Sequence, residues 1–538
     1  MRSPQAFVEE YGERSGYRLS SLFWQFFAWY VLAILILNNL GIEPIYQHVT
    51  PFYAVWLPAS SFATPTVAPV LVALFAFVVT TWAIGMRIER RARLALLVIA
   101  FAILLIVAYS SDSTRRGMTG AEFWSAFKWH LPLIALISLT SIAMVRFFRG
   151  CDWWGSELSG KTAWKVVAAI AFFSFLFSGS MALIREGTGG IAAAYSRSGY
   201  EYIDDIGKGL TLFGFLREYN ELHPHLSMHA KVHPPGPVVI LWIMSTFMLS
   251  RDPLILSIGT MALGSAAVFP LFAWVRDMIN QRVAITCCAF YTLMPSIALF
   301  TATSADITFL PLIFLTLLLF WRALHRNSWK YAVGAGLMYA VLSLTSFSLL
   351  TLGAFFAFVG LWRLADPATR GAVIKTAIIM FASFILAHLA VRAGTGFDII
   401  RCFALSHGQF LEDQRQLDHV SPRYSSWAFK FFNPMCWIFF AGIPATILWF
   451  WRLYRPEQGT RALFIVFGLT LLILTPLYLA RGEGERSAMY ILPFVVLPAA
   501  HLLDELGAHS RSFRSLAAVF LFLVIQTWII ETHLYTYW

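Results

Sequence analysis

The sequence predicts an all-α fold, a polytopic transmembrane helical bundle of about 15 spans. Three observations predict it. Of 538 residues, 58% are hydrophobic and only 13% are charged, roughly half the charged share of a soluble globular chain. Apolar runs nearly free of charge recur along the whole length, each close to the roughly 20 residues that a bilayer core requires. Phe is abundant at 48 residues, beside 20 Trp and 19 Tyr, which suits lipid-facing helices and the headgroup belt.

The runs fall at 22–40, 66–86, 94–109, 131–146, 164–184, 254–275, 283–303, 306–323, 331–345, 347–363, 373–392, 434–451, 462–480, 488–503 and 515–531. The first has no small-residue cleavage site behind it, so it reads as an uncleaved span and not a signal peptide. Pro234–Ser250 is apolar but short of a full crossing. It is expected to re-enter or tilt, a sixteenth span being the alternative. Three regions follow: N-terminal spans at 1–163, a core at 164–330 with its loop 185–235, and C-terminal spans at 331–538.

The net charge of +11 lies mostly in short connections. Lys and Arg there report orientation. Arg87 to Arg93, Arg146 to Lys165, Arg276 and Arg282, Arg322 to Lys330, Arg363 to Lys375, Arg452 to Arg461, and Arg511 and Arg514 all fit one cytoplasmic side. The N-terminus is then cytoplasmic, and loops 185–235, 393–430 and 481–487 are extracytoplasmic. No basic–aromatic repeat points to nucleic acid. No retrieval signal ends the chain and no Asn-x-Ser/Thr acceptor occurs, which favours a cell (inner) membrane. The five cysteines form no metal spacing and no disulfide framework. Gly155-Ser156-Glu157-Leu158-Ser159-Gly160-Lys161-Thr162 matches the phosphate-loop pattern by letter, but that loop needs a preceding strand, and a short connection between two spans offers none.

Four polar groups share the extracytoplasmic side. They are Tyr200-Glu201-Tyr202-Ile203-Asp204-Asp205; Glu221 to His225 with His229, Lys231 and His233-Pro234-Pro235-Gly236; Ser304-Ala305-Asp306; and Arg481-Gly482-Glu483-Gly484-Glu485-Arg486. A carboxylate or histidine at a membrane face can take a proton from an attacking hydroxyl. Arg and Lys can hold a lipid-borne phosphate, Arg through a bidentate fork. His225, His229 and His233 repeat every four residues, so on one helix they could hold a divalent metal. Pro224 and Pro234 limit that helix to about two turns, and three separate interfacial histidines are the plainer reading. Asp306 also suits the positive end of a helix, Arg481 and Arg486 suit interfacial anchoring, and Asp204-Asp205 suits a solvated loop.

The stretch from this loop to Asp306 resembles the membrane glycosyltransferases of the GT-C superfamily, such as protein O-mannosyltransferases and the aminoarabinose transferases of the lipid A pathway. There, an acidic residue lies in the first outside loop, a charged or His residue precedes Pro-Pro and a helix, and an Asp later opens another helix. The matching residues are Asp204 or Asp205, His233-Pro234-Pro235, and Asp306 after Pro295. The late acidic and basic loop is matched by Gly482 to Arg486, followed by Pro493. The resemblance spans about 164–505 and implies a GT-C-like core. It implies Asp205 or Asp204 as catalytic base. Arg486 would hold the donor phosphate, with Arg481 and Lys231 as substitutes. His233, Asp306, Glu483, Glu485 and Tyr202 would line the substrate pocket, with a divalent metal as an option. The expected partners are a polyprenyl-phosphate-linked sugar donor, an acceptor that is protein, glycan or lipid, and membrane lipids. Transfer would invert the anomeric centre. A secondary transporter or flippase is the alternative. It needs midplane charges and repeated halves, and the sequence shows few of the first and no obvious repeat.

Overall fold

The computed structural model describes residues 128–196, 199–420, 426–454, 457, 459–477, 484–487, 489–511 and 513–533. The expected spans at 22–40, 66–86 and 94–109 lie outside the described residues. Among those described, every regular element is helical. Six helices are long and apolar enough to cross a membrane, and a seventh crossing is possible as a bent pair. The other apolar runs among the described residues form shorter or more interrupted helices, and the expected count of about 15 is not confirmed.

The burial pattern separates centre from rim. The span Ala305–His325 is 72% buried, whereas Pro367–Thr395 is 22% buried and Lys128–Gly150 only 6%. The rim helices expose Leu139, Ile378, Phe381 and Leu386, as helices facing lipid do. The centre is aromatic: Trp274, Phe355, Phe467 and Phe494 pack against one another. Small residues bring helices close where apolar burial offers no drive between them in lipid. A Cβ on Gly336 would lie 2.3 Å from the Met380 carbonyl oxygen, joining Trp329–Thr345 to Pro367–Thr395.

Two breaks are locally satisfied. Gln281–Leu293 and Pro295–Thr303 meet at 58°, where Pro295 cannot donate to the preceding turn. Ser426–Ala441 and Ile443–Tyr454 are separated by Gly442 at φ +97°. Gln526 stitches this break, its Oε1 accepting from Ile443 N–H at 3.1 Å and its Nε2 donating to Phe439 O at 3.0 Å. Backbone freed inside a membrane must find such partners.

The basic connections gather at one end. Arg322 and Arg276 both donate to Asp277, at 2.6 and 3.2 Å. Arg282 Nε bonds both oxygens of Asp504 at 2.9 Å. Arg363 Nη2 reaches His325 at 2.6 Å. The phosphate-loop look-alike is also here. Ser159 caps Gly160–Glu186 by accepting from Thr162 N–H, and no strand precedes it.

The loop after Gly160–Glu186 and the short helix Gly236–Phe247 lie at the other end. Gly236 abuts the Leu344 and Thr345 backbone. Past the helix, Arg251 donates to Ile206 O at 3.2 Å, back within the loop. The helix therefore begins and ends against residues of one end.

Candidate active site

The acidic stretch is a tight turn stitched to the histidine stretch. Tyr202–Asp205 forms a 3-10 turn. Met228 N–H donates to Gly199 O at 3.1 Å, and His229 N–H to Tyr200 O at 3.2 Å. These two bonds set Glu201 beside His229, with Oε2 3.3 Å from Nδ1. Tyr219, buried on Leu212–Leu222, points its hydroxyl at both Ala230 O and His233 O, each 2.9 Å away. It thereby fixes the chain just before Pro234-Pro235.

The two expected base candidates differ sharply. Asp205 is fully buried. Its carboxylate accepts from Ser227 N–H at 3.1 and 3.2 Å, from Ser227 Oγ–H at 2.7 Å and from Lys208 Nζ at 2.5 Å. Lys208 also donates to His225 O at 2.7 Å. Asp204 is exposed and accepts from Gly199 N–H at 2.5 Å. A 3-10 turn eclipses positions three apart, so Tyr202 and Asp205 turn inward together while Asp204 faces out.

Glu201 is the carboxylate that the sequence reading quoted but gave no role. It is buried, and its Oε1 has no hydrogen-bond partner among the described residues. A buried acceptor without a partner is costly and calls for a reason. The charge around it is shared with Asp306. Burial pushes the Tyr195 hydroxyl far above the ordinary phenol range, a bond to Thr260 at 2.7 Å opposes this, and the carboxylates of Glu201 and then Asp306 push it further. One neutral, buried phenol thus lies within electrostatic reach of both acids.

Asp306 sits in the first turn of the 3-10 segment Ala305–Phe309, behind Ser304, whose Oγ accepts from Asp306 N–H. That segment rests on Pro253–Ala266 where Gly264 gives way: a Cβ there would meet Ile307 at 2.4 Å. Arg486, mostly buried, places Nε 3.3 Å from Asp306 Oδ2. The third and fourth polar groups are therefore joined. Arg481 and Glu483 lie outside the described residues, as does the side chain of Glu485. Tyr202 is buried, with its ring 5.8 Å from His229 and 6.0 Å from His233. Lys231 is half-buried, and its carbonyl accepts from His223 Nε2 at 2.9 Å.

His225, His229 and His233 do not share one helix. His225 ends a 3-10 turn, Leu226 and Ser227 are extended, and His229 starts afresh on the four-residue helix Met228–Lys231. The four-residue repeat therefore never lies on one helix, and the three rings do not converge. Among the described residues, one set of three potential ligands comes together, Glu457, His501 and Glu505, at the opposite end. Arg452 already bonds all three, at 2.6, 2.8 and 2.8 Å.

The loop 393–430 contributes Ile399–Val420, packed on the neighbouring Leu212–Leu222. Asn220 donates to Asp398 O at 3.0 Å, and Arg401 reaches Glu221 at 2.6 Å.

Residues 232–392 match the model of the dolichyl-phosphate-mannose-protein mannosyltransferases, a family of membrane glycosyltransferases of the GT-C type, and several described helices have the apolar length to span a membrane as such enzymes require. The matched stretch opens just before His233 and includes Asp306, but it stops short of Arg486 and excludes Glu201. No curated protein sequence matches the chain.

Proposed function

We propose that this protein transfers a sugar from a polyprenyl-phosphate-linked donor to an acceptor hydroxyl at the extracytoplasmic face of a cell membrane. One observation carries the reading: Arg486 pairs with Asp306 at the end that also holds Glu201 and His229, and the Tyr195 hydroxyl lies within electrostatic reach of both acids. An anion-holding guanidinium and a carboxylate with a free oxygen are the two groups that this chemistry requires.

In this reading the acceptor oxygen attacks the anomeric carbon as the carbon–oxygen bond to phosphate breaks. Polyprenyl phosphate leaves with the bonding electrons, and the anomeric centre inverts. Glu201 Oε1 takes the hydroxyl proton, general-base help worth about 10²–10⁴-fold. His229, against Oε2, orients the carboxylate. Arg486 holds the departing phosphate through charge-assisted bonds, with Lys231 and Arg481 close in sequence to the same polar groups. His233 and Tyr202 shape the wall. Asp205 closes the loop, and Asp204, turned to solvent, is the alternative base. A protein is the acceptor class that the matched family suggests. The break at Pro295, where a transporter would place a charged midplane site, has no charged residue from 283 to 303, its buried neighbours being Phe290, Thr292, Leu293, Met294, Ser296 and Ile297, which favours transferase over carrier.

The test is a transfer assay across polyprenyl-phosphate-sugar donors, in membranes with and without the protein. Transfer should appear with the protein and disappear in Glu201→Gln. No transfer from any such donor, or labelling of 185–235 and 481–487 from opposite compartments, would overturn the reading.

A further inference from the structure

Two leucines at the site end occupy backbone positions that ordinarily go to glycine, and both side chains are almost wholly exposed among the described residues. Leu249 follows Gly236–Phe247 at φ +51°. Ser250 N–H bonds Ser245 O at 3.1 Å, and Met248 N–H bonds Met244 O at 2.9 Å. That is the left-handed helix ending in which glycine or asparagine is the usual residue. Leu210 sits at φ +63° in a tight turn closed by Thr211 N–H on Gly209 O at 2.7 Å. Leu249 is 92% exposed and Leu210 93%. A branched side chain adds strain in this backbone region, and in water its exposure would add nothing in return.

The two turns belong to one edge. Arg251 donates to Ile206 O, and Gly207 packs against its guanidinium. Phe247, 88% exposed, and Phe213, 66% exposed, flank the leucines. The edge is continuous with the membrane: the span Pro253–Met278 starts two residues after Arg251. The same loop carries Glu201 to Asp205, held through Lys208 and Asp205.

We propose that this edge, Leu210 and Phe213 on one turn with Phe247 and Leu249 on the other, inserts into the lipid leaflet at the site end. The occupant is the boundary between headgroups and acyl chains. Arg251 stands at headgroup depth behind the apolar tips, the arrangement in which a basic side chain keeps its charge in the interface while its neighbours bury. The acidic loop is thereby held at a fixed height over the lipid.

The test uses the full chain in phosphatidylcholine–phosphatidylglycerol liposomes. Cys151, the one half-buried native cysteine, is replaced by serine; the other four are buried. A nitroxide is attached at Leu210→Cys, Leu249→Cys or Phe247→Cys, and at Glu218→Cys on the exposed face of Leu212–Leu222 as an aqueous reference. The ratio of oxygen collisions to nickel-chelate collisions should be about ten-fold higher at the three edge positions than at Glu218→Cys. Phe247 has helical backbone, so it carries the test if a leucine variant fails to fold. Edge ratios equal to the reference place the edge in water and overturn the proposal. Low collision with both reagents means a protein partner or a second copy covers the edge, and also overturns it. The readout involves no sugar transfer, so it stands apart from the assignment of the reaction.

Discussion

Arg486 Nε lies 3.3 Å from Asp306 Oδ2, joining the helix Gly484–Ser487 to the 3-10 turn Ala305–Phe309. Neither side chain is more than about a fifth exposed, with 11% for Arg486 and 17% for Asp306. The pair is shielded from solvent, so removing one partner takes a charged neighbour from a mostly buried ionic group.

Asp306→Asn should therefore lower stability by about 3 kcal/mol, read as a shift in thermal unfolding. The exchange Asp306→Arg with Arg486→Asp should recover most of that stability but not transfer, since the phosphate-holding cation would then stand elsewhere. Full recovery of transfer by the exchange would show that the pair is structural only.

Asp205→Ala should cost about 3 kcal/mol, because Ser227 N–H and Lys208 lose a charged acceptor in a buried place. Limited proteolysis should then cut within 199–231. Asp205→Asn keeps an acceptor oxygen and should cost less. If Asp205→Asn abolished transfer while the loop stayed protease-resistant, the base would be Asp205 and not Glu201.

The carboxyl of Asp398 is held below the usual range, first by the Arg401 N–H, then by Ile400 N–H and the Arg392 and Arg401 charges, against some desolvation. A folded value below the unfolded one adds stability above about pH 4 and loses it as pH falls through the folded value. The hydrogen-exchange protection factor at the start of Ile399–Val420, normalised to the intrinsic amide rate at each pH, should be flat from about pH 5 to 8 and fall on acidification below about 4. Asp398→Asn should abolish that acid step.

Gly236→Ala puts a Cβ 2.2 Å from Leu344 O, a backbone atom that cannot turn aside. The variant should lose about 1–3 kcal/mol and weaken transfer by displacing the His233-Pro234-Pro235 segment. Gly360→Ala, whose nearest neighbour would be Val373 at 3.7 Å, is the matched control and should be nearly neutral.

Much of this was legible beforehand. The apolar runs marked helices, and the short Pro234–Ser250 stretch forms a helix of 12 residues, Gly236–Phe247. The arginines of short connections foretold one basic end, now seen in the Asp277 and Asp504 pairs. A four-residue histidine repeat means one face only if a single helix contains it, and Leu226–Ser227 separates His225 from the helix that carries His229. Glu201 carried no local signal that set it above Asp204 and Asp205.

Composition and periodicity by themselves determined that this chain is a membrane-embedded helical protein with its polar residues concentrated in a few connections, because hydropathy is a sum over neighbours along the chain. Which carboxylate keeps an open oxygen was decided only by the tertiary structure. Asp205 is saturated by Ser227 and Glu201 faces His229, and those partners are brought in by packing across sequence distance, to which no local pattern is sensitive.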